Sequence, residues 1–134
     1  MANAQPSPPT ILVVDDEPAV RLLVERTLRE AGFRVVTAMG GSEALEVLDR
    51  GGAVDLLLAD LRMPVMSGAQ LALEVMQLRP EVRVLIMAAY PSEDPLDWRV
   101  ITKPFPPDVL EAEIRRALDG PSARAASGAF PAEL

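Results

Sequence analysis

The chain has 134 residues, a hydrophobic share of 49% and a formal net charge of -7. This length allows one globular domain with a real core and is too short for two ordinary domains. The excess of 20 acidic over 13 basic side chains argues against a nucleic-acid partner, because phosphate contacts need a basic surface. Cysteine and histidine are both absent, which excludes disulfides, thiolate or imidazole metal sites, Ser-His-Asp catalysis and a phosphohistidine on this chain.

The sequence shows no pattern typical of membrane insertion or secretion. No apolar run approaches the roughly 20 residues that a membrane span needs. The first residues, MANAQPSPPT, lack the basic-then-apolar pattern of a signal peptide. We therefore expect no membrane partner and a cytoplasmic location.

Strand and helix patterns alternate along one domain, predicted over residues 10–119. Residues 1–9 are Pro-rich and polar, which predicts a disordered lead-in, and the small-residue segment 120–134 predicts a flexible tail. The predicted strands are short apolar runs at residues 11–14, 34–38, 54–59, 82–87 and 99–102. The predicted helices begin at Pro18 in a first turn, at a Ser42 cap, at Ala69, and at a capping box of Asp108 and Glu111.

The predicted fold class is α/β. Five strands that alternate with helices indicate an open parallel sheet with helices on both faces. Only nine residues, from Tyr90 to Trp98, join the fourth and fifth strands, whereas a helical crossover takes at least about 10–12. Pro91 and Pro95 interrupt even this segment. We therefore predict that the fourth helix is missing or reduced to a turn.

Four charged side chains follow three of the predicted strands. Asp15 and Asp16 follow the first, Asp60 follows the third, and Lys103 follows the last. Because ligands in open parallel sheets bind outside the carboxyl ends of the strands, we expect these side chains to converge there. Three carboxylates repel one another unless a hard cation such as Mg2+ or Mn2+ is held between them. With Lys103 as a fixed positive charge, this set is equipped for phosphoryl transfer to Asp60.

The spaced motifs together resemble the receiver domain of two-component response regulators over about residues 11–118. The motifs are Asp15-Asp16 after the first strand, Asp60 opening DLRMPVMSG, and Lys103-Pro104-Phe105 before the last helix. The resemblance implies a flavodoxin-like (βα)5 fold with strand order 2-1-3-4-5. It also implies a cis peptide bond between Lys103 and Pro104.

The resemblance implies a role for each site residue. Asp60 matches the phospho-acceptor and Lys103 the lysine that contacts the phosphoryl group. Asp16 and Asp60 would bind Mg2+ directly, Asp15 through water, and Arg62 through its backbone carbonyl. The implied donor is a histidine kinase or a histidine phosphotransfer protein. The chain would then be a signalling phospho-acceptor, with only its own phosphorylation and dephosphorylation as chemistry, and not an enzyme.

Both positions of the family's switch pair depart from its pattern. Ala88 stands where the fourth strand of the family ends on a Thr or Ser, so the hydroxyl is absent. Val100 stands three positions before Lys103, where an aromatic residue is common. We therefore predict an atypical switch region in which Tyr90 and residues 91–97 respond to phosphorylation. Trp98 is the other candidate there, although packing is the better interpretation of its role.

Three alternative functions are weaker. A degenerate receiver could act as a constitutive protein-binding module, which the loss at Ala88 allows but the retained acids and Lys103 argue against. A phosphatase or phosphotransferase with a nucleophilic Asp commonly places a second acid two residues on, where this chain has Arg62. A flavodoxin-like FMN carrier needs a Ser/Thr/Gly-rich phosphate loop, and none follows the first strand.

Overall fold

Five strands and four helices alternate in the computed structural model, which describes residues 7–90 and 98–120. The strands are β1 (Thr10–Val14), β2 (Arg34–Ala38), β3 (Leu56–Asp60), β4 (Arg83–Ala88) and β5 (Val100–Thr102). The helices are α1 (Pro18–Glu30), α2 (Gly41–Asp49), α3 (Gly68–Leu78) and α4 (Pro107–Asp119).

The strands form one parallel sheet in the order β2-β1-β3-β4-β5. The predicted α/β class and the order 2-1-3-4-5 are therefore confirmed. The order reverses between β1 and β3, which is where ligands bind in open sheets of this kind. In the register of these two strands, Val14 pairs with Ala59, so the residues that follow them lie at the same level.

The two central strands are buried on both faces and hold the core together. Every residue of β1 and of β3 is buried. Because side chains alternate across a strand, one set packs under α2 and α3 and the other under α1 and α4. The strand ends are therefore fixed by core packing on both sides of the sheet.

Two predicted helix caps are wrong. The N-cap of α2 is Gly40 and not Ser42, and the N-cap of α4 is Pro106, with no side-chain cap in either helix. Pro107 at the first turn of α4 suits a helix start, because its fixed φ is already helical. This starts the helix before Asp108, so no capping box forms there.

The side-chain capping box instead begins α3. The Ser67 hydroxyl accepts a hydrogen bond from the Gln70 backbone N–H at 3.1 Å, and Gln70 Oε1 accepts one from the Ser67 N–H at 2.8 Å. These two bonds satisfy two backbone donors at the helix start. They also fix the end of the loop that leads from Asp60 into α3.

Some predictions fall on residues outside the described ranges. The lead-in predicted over 1–9 falls largely on residues 1–6, and the predicted tail falls on 121–134 apart from Gly120; these segments are not described. The predicted loss of the fourth helix concerns residues 91–97, which are also outside the description. Of the residues described between β4 and β5, none is helical.

Across the described ranges, no helix combines the length and the apolar character that crossing a bilayer requires.

We expect Ser67→Ala to lower the free energy of unfolding by about 1 kcal/mol, because it removes the hydroxyl that caps α3. The matched control is Ser42→Ala, an exposed serine inside α2, for which we expect a change below about 0.5 kcal/mol. Urea denaturation of the two variants checks this. An equal loss in both would contradict the assigned cap.

Candidate functional site

The predicted acidic residues converge at the carboxyl end of the sheet. Asp60 is the last residue of β3, and Asp15 directly follows β1. Asp15, Asp16 and Asp60 each offer a carboxylate oxygen, and these oxygens all lie within 4.8 Å of one another. The strand-end prediction therefore placed these side chains correctly.

Lys103 lies between two of the carboxylates. Its Nζ is 3.3 Å from Asp15 Oδ2 and 3.3 Å from Asp60 Oδ1. The Lys103 backbone N–H donates to the Ala88 carbonyl at 2.8 Å, which extends the pairing of β4 and β5 up to the site. The Lys103–Pro104 peptide bond is cis, as the resemblance implied.

Asp15 is fully buried, and both of its carboxylate oxygens are already bound within the protein. The Glu17 N–H donates to Oδ1 at 2.9 Å, and Lys103 Nζ donates to Oδ2. Asp16 is exposed. The two adjacent acids therefore differ: one is held rigidly by its neighbours, and the other lies open to solvent.

Arg21 contributes to the site, although the sequence analysis did not single it out. Its Nη1 donates to the backbone carbonyl of Asp15 at 2.7 Å. This bond ties α1 to the residue that follows β1. The sequence signal was an arginine in the helix that follows the acid pair, but the contact depends on how α1 lies against the sheet.

Burial and the neighbouring charges together shift the pKa of Asp60. Burial raises the pKa of its carboxyl group above the ordinary 3.8, and the Asp15 carboxylate raises it further. Lys103 and a hydrogen bond donated by the Arg62 backbone N–H lower it but do not cancel these effects. Burial is therefore the largest cause of the raised pKa, and the charge of Asp15 adds to it.

The same surroundings act on Lys103. Burial disfavours its charged form, but the Asp15 and Asp60 carboxylates outweigh this effect and raise the pKa of the ammonium group above 10.5. Lys103 is therefore charged throughout the physiological pH range. It is a permanent positive charge beside Asp60.

The donor set fits a hard divalent cation. Three carboxylates near one another favour an ion that takes oxygen ligands, because Lys103 offers one positive charge against their three negative charges. Asp16 and Asp60 have the geometry to supply such ligands. Arg62 lies two residues after Asp60, at the start of the loop beside the cluster.

The loop of residues 61–67 is held at both ends. The Leu61 N–H donates to the Met87 carbonyl at 2.8 Å, and the Gly68 N–H donates to the Leu61 carbonyl at 2.9 Å. Gly68 approaches the end of β3 so closely that an added Cβ would collide with the Asp60 carbonyl oxygen. The residue type at position 68 is therefore fixed by the distance to Asp60.

The predicted switch positions are not part of the acid cluster. Ala88 is buried at the end of β4, and Val100 pairs with Ile86, two residues before that end. Trp98 is 6% exposed and packs in the core with α3, as expected, but its indole Nε1 has no hydrogen-bond partner among the residues that the structure describes. Tyr90 is 65% exposed. Ala88 follows Met87, the register partner of Asp60, so β4 ends beside the site.

Comparison with protein families decides the assignment. The family model of the response regulator receiver domain matches residues 11–115. The chain belongs to this family. It is 38% identical over 119 residues to the transcriptional regulatory protein GlrR of Escherichia coli (strain K12), an alignment that covers 84% of this chain and 27% of GlrR. It is 34% identical over 119 residues to the sensor kinase CckA of Brucella abortus (strain 2308), covering 82% of this chain and 12% of CckA.

Solved structures agree with the receiver fold. The response regulator protein TrrA of Thermotoga maritima, solved in complex with Mg2+ and BeF, superposes with a TM-score of 0.74 at 32% identity. The match covers 81% of this receiver and 98% of that chain. Against the curated relatives, by contrast, the receiver spans only about a quarter of GlrR and an eighth of CckA.

We expect Gly68→Ala to destabilise the receiver by about 2 kcal/mol, because the new methyl group must displace the backbone of Asp60. Gly52→Ala is the control: a Cβ there would lie 3.6 Å from the nearest atom, an ordinary contact. We expect that variant to change the free energy of unfolding by less than about 0.5 kcal/mol. Urea denaturation measures both, and a Gly68→Ala protein as stable as Gly52→Ala would contradict the close approach.

We expect the stability of the metal-free receiver to depend on the charge of Asp60. Because its pKa is raised, the folded state binds this proton more tightly than the unfolded state, so the contribution to stability falls as pH rises above 3.8. Asp60→Asn imitates the protonated form and should be more stable than the wild type at neutral pH in EDTA.

The stability difference should narrow as pH falls towards 3.8, where the wild-type carboxyl becomes protonated in the unfolded state as well. Denaturation at a series of pH values measures it. Asp49→Asn, at the exposed end of α2, is the control for the loss of one carboxylate outside the site. An Asp60→Asn protein that is less stable than the wild type at neutral pH would overturn this electrostatic account.

Proposed function

We propose that this receiver accepts a phosphoryl group on Asp60 from a phosphohistidine of a histidine kinase or a histidine phosphotransfer protein, in a reaction that requires Mg2+ or Mn2+. The observation that carries the proposal is the position of Lys103, at 3.3 Å from both Asp15 and Asp60, beside the cluster of three carboxylates. Phosphoryl transfer depends mainly on positioning and charge neutralisation, and this site provides both.

The three acids have different proposed roles towards the cation. Asp16 and Asp60 bind it directly, together with the backbone carbonyl of Arg62. Asp15 acts through water, because both of its oxygens already accept hydrogen bonds from the protein. When bound, the cation supplies positive charge that offsets the carboxylates and the incoming phosphoryl oxygens.

The proposed reaction needs no acid or base from this chain. A carboxylate oxygen of Asp60 attacks phosphorus, the P–N bond of the donor breaks, and its electron pair stays on the donor imidazole. Lys103 holds a phosphoryl oxygen from its position beside Asp60 Oδ1. Because Asp60 is 8% exposed, the donor must reach it from the open carboxyl end of the sheet.

The alternative phosphatase or phosphotransferase function is not favoured by the site. Arg62 occupies the position two residues after Asp60, where such enzymes commonly place a second acid. We therefore propose a phospho-acceptor that performs only its own phosphorylation and dephosphorylation. We also propose a cytoplasmic location and no direct contact with nucleic acid or membrane, which agrees with a net charge of -7.

The switch region is proposed to work without a hydroxyl. A neutral hydrogen bond from a Thr or Ser at position 88 would contribute about 1 kcal/mol, less than the charged contacts of the site. Asp60 is therefore phosphorylated even though Ala88 provides no hydroxyl. The exposed Tyr90 belongs to this atypical region, together with Val100.

Intact mass spectrometry after incubation with acetyl phosphate and Mg2+ tests the proposal. We expect the wild type to gain one phosphoryl group, and Asp60→Asn or a sample in EDTA to gain none. Asp49→Asn removes a carboxylate of the same kind from an exposed helix end and should be phosphorylated like the wild type.

Two outcomes would count against the proposal. Phosphorylation that persists in Asp60→Asn would show that another residue is the acceptor. No gain in the wild type, together with no Mg2+ binding by calorimetry, would favour the constitutive protein-binding module instead.

A further inference from the structure

Asp16 is the exposed member of the acid cluster, and its own carboxylate is not what holds it in place. Within the part of the chain that the structure describes, no hydrogen bond or ion pair reaches that carboxylate. Its neighbour Asp15, by contrast, has both oxygens bound. Binding a ligand costs less when the binding group is already ordered. The position of Asp16 therefore depends on its backbone.

The backbone is restrained on both sides of Asp16. The peptide group before it contains the Asp15 carbonyl, and Arg21 Nη1 donates to that oxygen at 2.7 Å. The peptide group after it contains the Glu17 N–H, which donates to Asp15 Oδ1 at 2.9 Å. Because a peptide group is planar, a hydrogen bond to one of its atoms restrains the orientation of the whole group. The Cα of Asp16 thus lies between two restrained planes.

Arg21 supplies the restraint that comes from a separate element of the fold. It is half-buried near the start of α1, and its backbone N–H donates to the Glu17 carbonyl at 3.0 Å, as in a regular helix. Its guanidinium is a charged donor, and hydrogen bonds of this kind are roughly twice as strong as neutral ones. The same helix packs on the core through Val24 and Leu28. Core packing of α1 is therefore transmitted to the peptide group before Asp16.

The charge of Arg21 acts against a bound cation, whereas its position acts in favour of one. Arg21 binds the carbonyl oxygen of Asp15 and, among the described residues, forms an ion pair with none of the three carboxylates. A guanidinium near the cluster repels a divalent cation. If charge dominated, removal of Arg21 would strengthen Mg2+ binding; if position dominated, removal would weaken it.

We propose that Arg21 is a positioning residue for the cation site. By holding the peptide group between Asp15 and Asp16, it places the Asp16 carboxylate where it binds Mg2+. This inference rests on the proposed function and adds to it a residue that is not itself a ligand. Contacts that orient metal ligands typically change metal affinity 10–100-fold when they are removed.

Isothermal titration of the unphosphorylated full chain with Mg2+ tests the inference. We expect Arg21→Met to bind Mg2+ about tenfold more weakly than the wild type. Arg21→Gln is a second variant with the same expected loss; both replacements have helix propensities close to that of arginine. Thermal denaturation without metal identifies the temperatures at which each variant is folded, and the titrations are made below them.

Arg29→Met is the matched control. Arg29 lies at the other end of α1, and its Nη2 donates to the backbone carbonyl of Val35 at 3.0 Å. This variant therefore removes the same charge and the same kind of contact from the same helix, but away from the acid pair. We expect its affinity for Mg2+ to equal that of the wild type.

Three outcomes would overturn the inference. Mg2+ binding by Arg21→Met or Arg21→Gln that is as tight as in the wild type, or tighter, would show that position does not dominate. An equal loss in Arg29→Met would show a general loosening of α1. Either result leaves the proposed function standing. If the wild type itself does not bind Mg2+, the proposed function fails and the inference fails with it.

Discussion

The site depends on one constraint: two carboxylates are buried at the ends of adjacent central strands, with a single lysine between them. Asp15 and Asp60 lie there because β1 and β3 are neighbours in register and are packed on both faces. Lys103 is within 3.3 Å of both, yet the pKa of Asp60 remains raised. Burial is the larger cause of this shift, and Lys103 offers one positive charge against the three carboxylates of the cluster, so a divalent cation is suited to offset the rest.

The loop of residues 61–67, which follows Asp60, is held in place by hydrogen bonds. The loop is tied to β4 through Leu61, to its own far end through Gly68, and to the Asp60 carboxylate through the Arg62 N–H. Val65 in this loop has φ +70°, a conformation that persists in a valine only where the surrounding structure determines the backbone this closely. The hydrogen bond from the Arg62 N–H thus joins this loop to the carboxylate of Asp60.

The sheet order and the four charged residues of the site were predictable from the sequence, because short apolar runs, the charged residues that end them and the family resemblance suffice to place both. Caps were less predictable: Ser67 and Ser42 both lie near helix starts, but only Ser67 is followed three residues later by Gln, which completes a capping box. The contact of Arg21 with Asp15 depends on how α1 lies on the sheet. The positive φ of Val65 had no local signal, because sequence patterns assign that conformation to Gly or Asn.

The central claim is that Asp60, and not its acidic neighbours, receives the phosphoryl group. Borohydride reduces an acyl phosphate on aspartate to homoserine, and peptide mass mapping then locates the modified residue. After phosphorylation with Mg2+ present, the account predicts homoserine at position 60 and unmodified Asp15 and Asp16. Homoserine at position 15 or 16, with Asp60 intact, would contradict it.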